Sequence, residues 1–332
     1  MPRRFGWIIG LSLLAVLRVE ATPSVPAPQR SFTIRYLASI HGLPATAQHV
    51  HIWVPLATSR DGQQILHRSV HAPIAYDIFT ESVYGNEMLH AMLTAPVPAQ
   101  LEVQVTYDTL VQGGDRMSAE ALAALPADVQ TMYLRAERLT VIDDAVRRLA
   151  AAATRGHTTT VERARGIYDA VIRHMRYDKD TPGWGRGDVA RACVVGRGNC
   201  TDFHALFIAM ARASGIPARF KIGAEVPTDP AHPVTGYHCW AEFYRAGRGW
   251  VPVDASEAWK HPEAADRYFG AADANKFTVS TGRDLRLVPQ QQGGPVNLFV
   301  KPYVEVDGRP FEDVDVRFQW LAAPTAEVSH GG

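Results

Sequence analysis

The chain predicts a β-sandwich followed by a segment in which helices come first and strands return after them. Two observations carry this. Apolar residues alternate with a period of two from Ser31 to Gln112, take up helical spacing beyond Gly113-Gly114, and return to period two after Pro217. Turn residues separate the early runs, as in Tyr84-Gly85-Asn86 and Ala95-Pro96-Val97-Pro98, and such short, closely spaced strands argue for a sandwich of about 80 residues.

At the start of the chain, Arg3 and Arg4 precede an apolar run from Phe5 to Leu17. Val19-Glu20-Ala21 then offers small residues at −3 and −1 of a cut before Thr22, the layout of a secretory signal peptide over residues 1–21. A run of about 13 apolar residues is too short to cross ~30 Å of hydrocarbon as a helix. The expectation is therefore bacterial export, with a periplasmic or extracellular product that meets the membrane only through this segment. Residues 22–30 are proline-rich and read as a linker.

The whole chain carries 34 basic and 34 acidic residues; loss of Arg3, Arg4, Arg18 and Glu20 with the leader leaves 31 against 33. That balance, with no Lys/Arg run, excludes an electrostatic footprint for nucleic acid. Three cysteines, Cys193, Cys200 and Cys239, are too few for a disulfide scaffold. In an oxidising compartment the odd count leaves at least one thiol free, and whether Cys193 and Cys239 pair is left open.

Residues 31–114 form the expected sandwich. Phe32, Ile34 and Tyr36 alternate, as do Val50, Ile52 and Val54, and Leu101, Val103, Val105 and Tyr107. This part holds neither a cysteine nor a carboxylate pair that asks for a chemical role. In residues 115–275 a helix is expected over Val141 to Ala153. Thr159 and Glu162 fit a capping box ahead of the stripe Val161, Ala164, Tyr168, Val171, Ile172 and Met175. The Gly-, Pro- and charge-rich stretch from Asp178 to Gly198 reads as a functional loop. A second helix begins near Cys200, buries Phe203, Leu206, Phe207 and Met210, and stops at Ser214-Gly215 ahead of Pro217. Strands follow at Phe220/Ile222, Tyr237 to Tyr244 and Trp250 to Val253. The tail, including Leu285/Leu287, Leu298/Val300 and Val314/Val316/Phe318, also reads as strands, and residues 276–332 are expected to complete the core.

Chemistry concentrates at Gly196-Arg197-Gly198-Asn199-Cys200-Thr201-Asp202-Phe203. A cysteine in the first turn of a helix lies where unpaired N–H groups and the dipole favour a thiolate. The glycines before it permit a tight backbone, and the N–H of Cys200 itself can serve as an oxyanion donor. His238 and Asp254 follow on two segments that read as neighbouring strands, supplying a base for the thiol and a carboxylate to fix the base. Alone, His238 reads equally as a strand histidine and Asp254 as a cap. Cys193, Cys200, His204, His238 and Cys239 also suggest zinc, but no Cys-x2-Cys knuckle is present. Adjacent strand residues such as His238 and Cys239 also point to opposite faces. Asp202 reads as a helix N-terminal charge or an arginine partner.

Four motifs, within about 55 residues, make the chain resemble the transglutaminase-like superfamily of papain-like cysteine enzymes, specifically its exported bacterial members with an N-terminal β-sandwich. They are Gly198-Asn199-Cys200-Thr201-Asp202-Phe203, Ala211-Arg212-Ala213-Ser214-Gly215-Ile216-Pro217-Ala218-Arg219, Tyr237-His238-Cys239-Trp240-Ala241-Glu242 and Gly249-Trp250-Val251-Pro252-Val253-Asp254. Tyr177 matches the tyrosine that often opens the family core, Trp53-Val54-Pro55-Leu56 supports the sandwich, and Gly282-Arg283-Asp284-Leu285 and Tyr303-Val304-Glu305-Val306-Asp307-Gly308 resemble the end of the subgroup. The resemblance implies an α+β fold, in which the helix carrying the cysteine packs on an antiparallel sheet carrying the other two residues. It implies a Cys200-His238-Asp254 triad. His204 and Cys239 depart from the family, which often has alanine at both positions; His204, one turn beyond Cys200, reads as a supporting core residue. Tyr177, Trp184 and Trp240 are the candidates for substrate or oxyanion contacts.

These readings predict a cysteine enzyme that acts on protein or peptide amides through a thioester, either a peptidase or amidase or a glutamine acyltransferase. The competing prediction is an idle module that binds at the cell envelope. No calcium loop or nucleotide motif is visible, so no cofactor or metal is expected.

Overall fold

A computed structural model describes residues 28–114 and 124–322 of the chain. The expected signal peptide, residues 1–21, lies outside the described residues, as does most of the expected linker. Its last two residues do not behave as a linker: Gln29 and Arg30 already pair with Gln112 and Val111.

The first strands are β1 (Gln29–Ile40), β2 (His49–Leu56), β3 (Gln63–His71), β4 (Asp77–Thr80), β5 (Glu87–Thr94) and β6 (Leu101–Gln112). Helices follow as α1 (Ala127–Leu134), α2 (Asp144–Ala153) and α3 (Thr160–His174), the last with the full Thr159/Glu162 capping box. Next come the two-residue β7 (Arg176–Tyr177), α4 (Val189–Val195), the two-residue β8 (Arg197–Gly198) and α5 (Cys200–Ala213). The remainder is β9 (Ala218–Glu225), β10 (His238–Arg245), β11 (Gly249–Val253), α6 (Ala255–Lys260), β12 (Lys276–Thr281), β13 (Tyr303–Val306), β14 (Arg309–Phe311) and β15 (Val314–Ala322). None of the described helices is long and apolar enough to cross a membrane.

The fold is α+β. Helix α5 is the centre of the core: every residue from Cys200 to Arg212 is buried. It packs on β10 and β9 and is surrounded by α2, α3, α4 and α6. Phe203 and Phe207 are fully enclosed, and each such ring contributes roughly 2–3 kcal/mol of transfer free energy. The sheet against it is antiparallel in the order β11-β10-β9-β12.

Two expectations are corrected. The loop from Asp178 to Gly198 contains α4, a short helix capped by Asp188 and ended by Gly196 in the left-handed region, too short for a periodic signal to stand out. The tail does not complete the core. Only β12 joins the core sheet, while the sandwich sheets run β15-β1-β6-β3 and β14-β13-β2-β5-β4, so the last three strands belong to the sandwich. Period two announces a strand but is silent on its partner. Leu285 and Leu287 are not in a strand; Leu285 makes an isolated bridge to Val296, and both leucines bury against Trp53 and Tyr84.

Sandwich and core meet at the outer edge of β12. The side-chain amide of Gln63 donates to Thr278 O at 2.9 Å and accepts from Thr278 N at 2.7 Å, and Asn86 repeats the arrangement with Thr281. Two amides thus satisfy backbone groups that an edge strand would leave open. Nearby, Asp61 bridges Lys221 at 2.6 Å and Arg219 at 2.8 Å, and Arg219 also binds Glu242. On the inner side, β9 approaches β12 so closely that a Cβ on Gly223 would lie 1.9 Å from Phe277 O, and only glycine fits there.

Candidate active site

The site is assembled where the N-terminus of α5 meets β10 and the β11–α6 turn. Asn199 caps α5 by accepting from Thr201 N at 2.9 Å, and Asp202 returns the bond by accepting from Asn199 N at 3.0 Å. Asp202 also takes Gly185 N at 2.7 Å and Gly187 N at 3.0 Å, so it pins the 178–188 loop beside the cysteine. Its role is the helix-terminal charge expected from sequence, with the loop as an addition. Gly198 has no room for a side chain: a Cβ there would stand 2.2 Å from the Asp202 carboxylate. Gly198→Ala is accordingly expected to displace that carboxylate and free the loop. The expected cost is about 2 kcal/mol in a denaturant titration, with faster proteolysis between Asp178 and Asp188.

Cys200 at the head of α5 is 2 % exposed and hydrogen-bonds with both Cys239 and His238. The Cys239 thiol and then the His238 imidazole hold the Cys200 thiol well below its ordinary value, against the effect of burial. Cys239 moves the other way: burial, and then its bond to Cys200, push its thiol well up, so it is the S–H donor of the pair. Cys239 and His238 therefore both reach Cys200, although neighbours on a strand face apart. His238 is the first residue of β10 and lacks the strand residue before it that would enforce the pleat. All three cysteines are free thiols, so Cys193 and Cys239 are not paired.

His238 Nε2 donates to Asp254 Oδ2 at 2.7 Å, which leaves Nδ1 for the sulfur of Cys200. Burial opposes the imidazolium, but the Asp254 charge and hydrogen bond and the Cys200 partner outweigh it, pushing His238 well above its ordinary value. Asp254 is the N-cap of α6 and is saturated with donors. Oδ1 takes Ser256 Oγ at 2.9 Å and Glu257 N at 3.1 Å, while Oδ2 takes His238 and the Lys276 ammonium at 2.5 Å. Burial acts to raise its carboxyl, yet the Lys276 and His238 charges hold it well below the carboxylate range.

The structure thus brings Cys200, His238 and Asp254 into one hydrogen-bonded chain. Trp240, two residues along β10 from His238, lies nearly parallel to the imidazole with ring centroids 6.3 Å apart and covers it. Tyr177 packs on Phe203 at 6.2 Å under the Lys260 ammonium, and burial followed by the Cys200 charge raises its phenol. Trp184 is set farther out, 37 % exposed, with the Lys179 ammonium over its ring. His204 has a supporting position: its Nε2 accepts from Ala255 N at 3.1 Å and fixes the turn that carries Asp254.

Sequence reasoning missed Lys276, Ser256, Glu257 and Glu225. Asp254-Ala255-Ser256-Glu257 has the capping pattern that could have placed α6; Lys276 carries no local signal. Glu225, His238 and Glu257 offer ligand atoms within 4.8 Å of one another, the cluster nearest to a cation site. His238 is engaged by Asp254 and Glu257 by Lys260 at 2.6 Å, so two of the three donors are already committed.

Residues 147–255, from α2 to the first residue of α6, match the family model of the transglutaminase-like superfamily. An uncharacterized protein of Haemophilus influenzae is 30% identical over 307 residues, covering 80% of this chain and 82% of that one. Among solved structures, a candidate cysteine protease from Cytophaga hutchinsonii superposes with a TM-score of 0.60 at 17% identity, covering 90% of this chain and 93% of its own. The periplasmic domain of TgpA from Pseudomonas aeruginosa gives a TM-score of 0.39 at 17% identity, covering 74% of this chain and 92% of its own. The matched region holds the cysteine helix, the strand that begins at His238 and the turn into α6 that carries Asp254, and the relative matches over 80% of this chain: this chain belongs to the transglutaminase-like superfamily.

Proposed function

We propose that the chain is an exported cysteine enzyme that cleaves or transfers amide acyl groups of proteins or peptides through a thioester. The observation that carries this reading is the unbroken chain Asp254–His238–Cys200, ending at a helix N-terminus, with the thiol lowered and the imidazole raised. Such opposed shifts favour a thiolate–imidazolium pair at neutral pH.

The Cys200 thiolate attacks the amide carbon, and the carbonyl electron pair moves to oxygen, to which the N–H of Cys200 can donate a hydrogen bond. As the carbonyl re-forms, the C–N bond breaks and the leaving amine takes the proton of the His238 imidazolium. Water or a second amine then gives a proton to His238 and attacks the thioester. The products are an acid or a new amide and a restored thiolate. Asp254 holds His238 in the tautomer that presents Nδ1 to sulfur, and Trp240 keeps water from that pair. Tyr177 and, less directly, Trp184 border the approach of the substrate.

The test is the pH dependence of iodoacetamide alkylation, read residue by residue by mass spectrometry beside His238→Ala. With Cys200 lowered and His238 raised, the thiolate is present between those two titrations. Cys200 is therefore expected to react at pH 6–7 far faster than a free thiol with a pKa of about 8.5, and to lose that advantage in the variant. Cys193, whose thiol burial pushes to about 11, is the slow internal control. A Cys200 rate that rises only near pH 8.5, alike in both proteins, would leave an idle site and favour a binding module.

A further inference from the structure

Lys276 opens β12 and is 9% exposed, yet its ammonium lies 2.5 Å from Asp254 Oδ2, the same oxygen that receives His238. It also stands over the Trp240 ring at 5.4 Å, so a cation, a carboxylate, an imidazole and an indole are packed as one group. The Asp254–Lys276 pair borders a cavity of about 40 Å³ at the seam with the sandwich, and Asp61, Lys221 and Glu242 line its other side. Asp254 and Lys276 are both buried, so little bulk water reaches the pair. We propose that Lys276 is a positioning residue of the Cys200–His238–Asp254 chain: its ammonium ties the carboxylate to β12 and offsets part of the charge that the carboxylate presents to His238. This rests on the reading of those three residues as the reacting groups.

The surroundings of His238 single out this lysine. The imidazole is faced by Cys200 and His204 from α5, Cys239 on its own strand, Glu225 Oε2 at 3.8 Å from β9, Asp254 and Glu257 from the α6 turn, and Lys276 from β12. Tyr177 and Lys260 pack together and feel the charge of Cys200. Of the two ammonium groups, Lys260 is taken by Glu257 and the Tyr177 ring, so Lys276 is the one that meets Asp254. A carboxylate that faced only the imidazole would make it hold its proton more firmly. The amine leaving group would then receive that proton less readily.

The sign of the test follows from this. His238 is titrated by NMR of labelled histidine in the Cys200→Ala background, with the signal assigned by its loss in His238→Gln. Lys276→Met is expected to raise the His238 midpoint by about one pH unit, because a cation beside the carboxylate is gone. Lys276→Arg, which keeps the charge, should leave it within about 0.3 units of the parent. If the methionine variant does not fold, Lys276→Gln, which keeps a donor but no charge, carries the same expected rise. In the Cys200-containing protein, alkylation profiles of the same variants should move while the Cys193 control does not. A His238 midpoint unmoved in the neutral variants, with wild-type Cys200 still fast at pH 6–7, overturns the role of Lys276 alone. Slow wild-type alkylation overturns the functional reading and this role together.

Discussion

Asp254→Asn is expected to lose about 10⁴ in turnover, the scale seen when a triad loses the group that fixes its histidine tautomer. An amide can present only one acceptor, whereas Asp254 receives His238, Lys276, Ser256 and Glu257 N on its two oxygens. If the amide NH₂ takes the position of Oδ2, it confronts two donors, and His238 is released or turns its proton toward Cys200. Stability should fall as well, because Lys276 becomes a buried ammonium without its carboxylate; breaking one partner of such a pair costs about 3–5 kcal/mol. The two effects separate in the double variant Asp254→Asn/Lys276→Met, which should recover much of the denaturant midpoint and none of the rate. A single variant with an unchanged rate would reduce Asp254 to the cap of α6.

Cys200→Ala is expected to abolish turnover, since Cys200 is the thiol held low beside His238 while that of Cys239 is pushed well up. The fold should hardly notice. Sulfur is the only heavy atom removed, the α5 cap lies in Asn199 and Asp202, and the small cavity costs about 1 kcal/mol. For a chain of this size that corresponds to a melting shift of about 2–4 °C. Residual turnover measured on a purified peptide amide would move the nucleophile elsewhere, and Cys239, the buried thiol hydrogen-bonded to Cys200, would be the first place to look.

The parts of this molecule that were legible in its sequence are those written locally. The capping pair Thr159/Glu162 marks a helix start because side chain and backbone partners are three residues apart, and Asp202 was legible as a helix N-terminal charge. Cys200 owes its place to a helix start, His238 to the head of β10 and Asp254 to the end of β11, two segments that read as strands. What could not be read depends on distant partners. Lys276 looks like any lysine at the head of a strand until β12 is laid beside β9 and its ammonium meets a carboxylate 22 residues earlier. The partners of β13 and β15 are equally silent, because a pattern of alternating residues fits any open edge. Helix α4 was lost inside a glycine-rich stretch for another reason: seven residues are too few for a periodic stripe to show.

The strand order also sets a timetable. Phe32 pairs with Ala322 and Val50 with Val306, so β1 and β2, which find β6 and β5 early, must each wait for nearly the whole chain before a second neighbour exists. Until then β1 and β2 each present an open edge, while the cysteine helix between them is already complete in sequence. Because Gln63 and Asn86 clamp β12, and β12 brings Lys276 to Asp254, the candidate site is tied to the seam between sandwich and core. The first and last strands close the sandwich on itself, and a nascent chain that has made Cys200 has not yet made the strands that complete those two sheets.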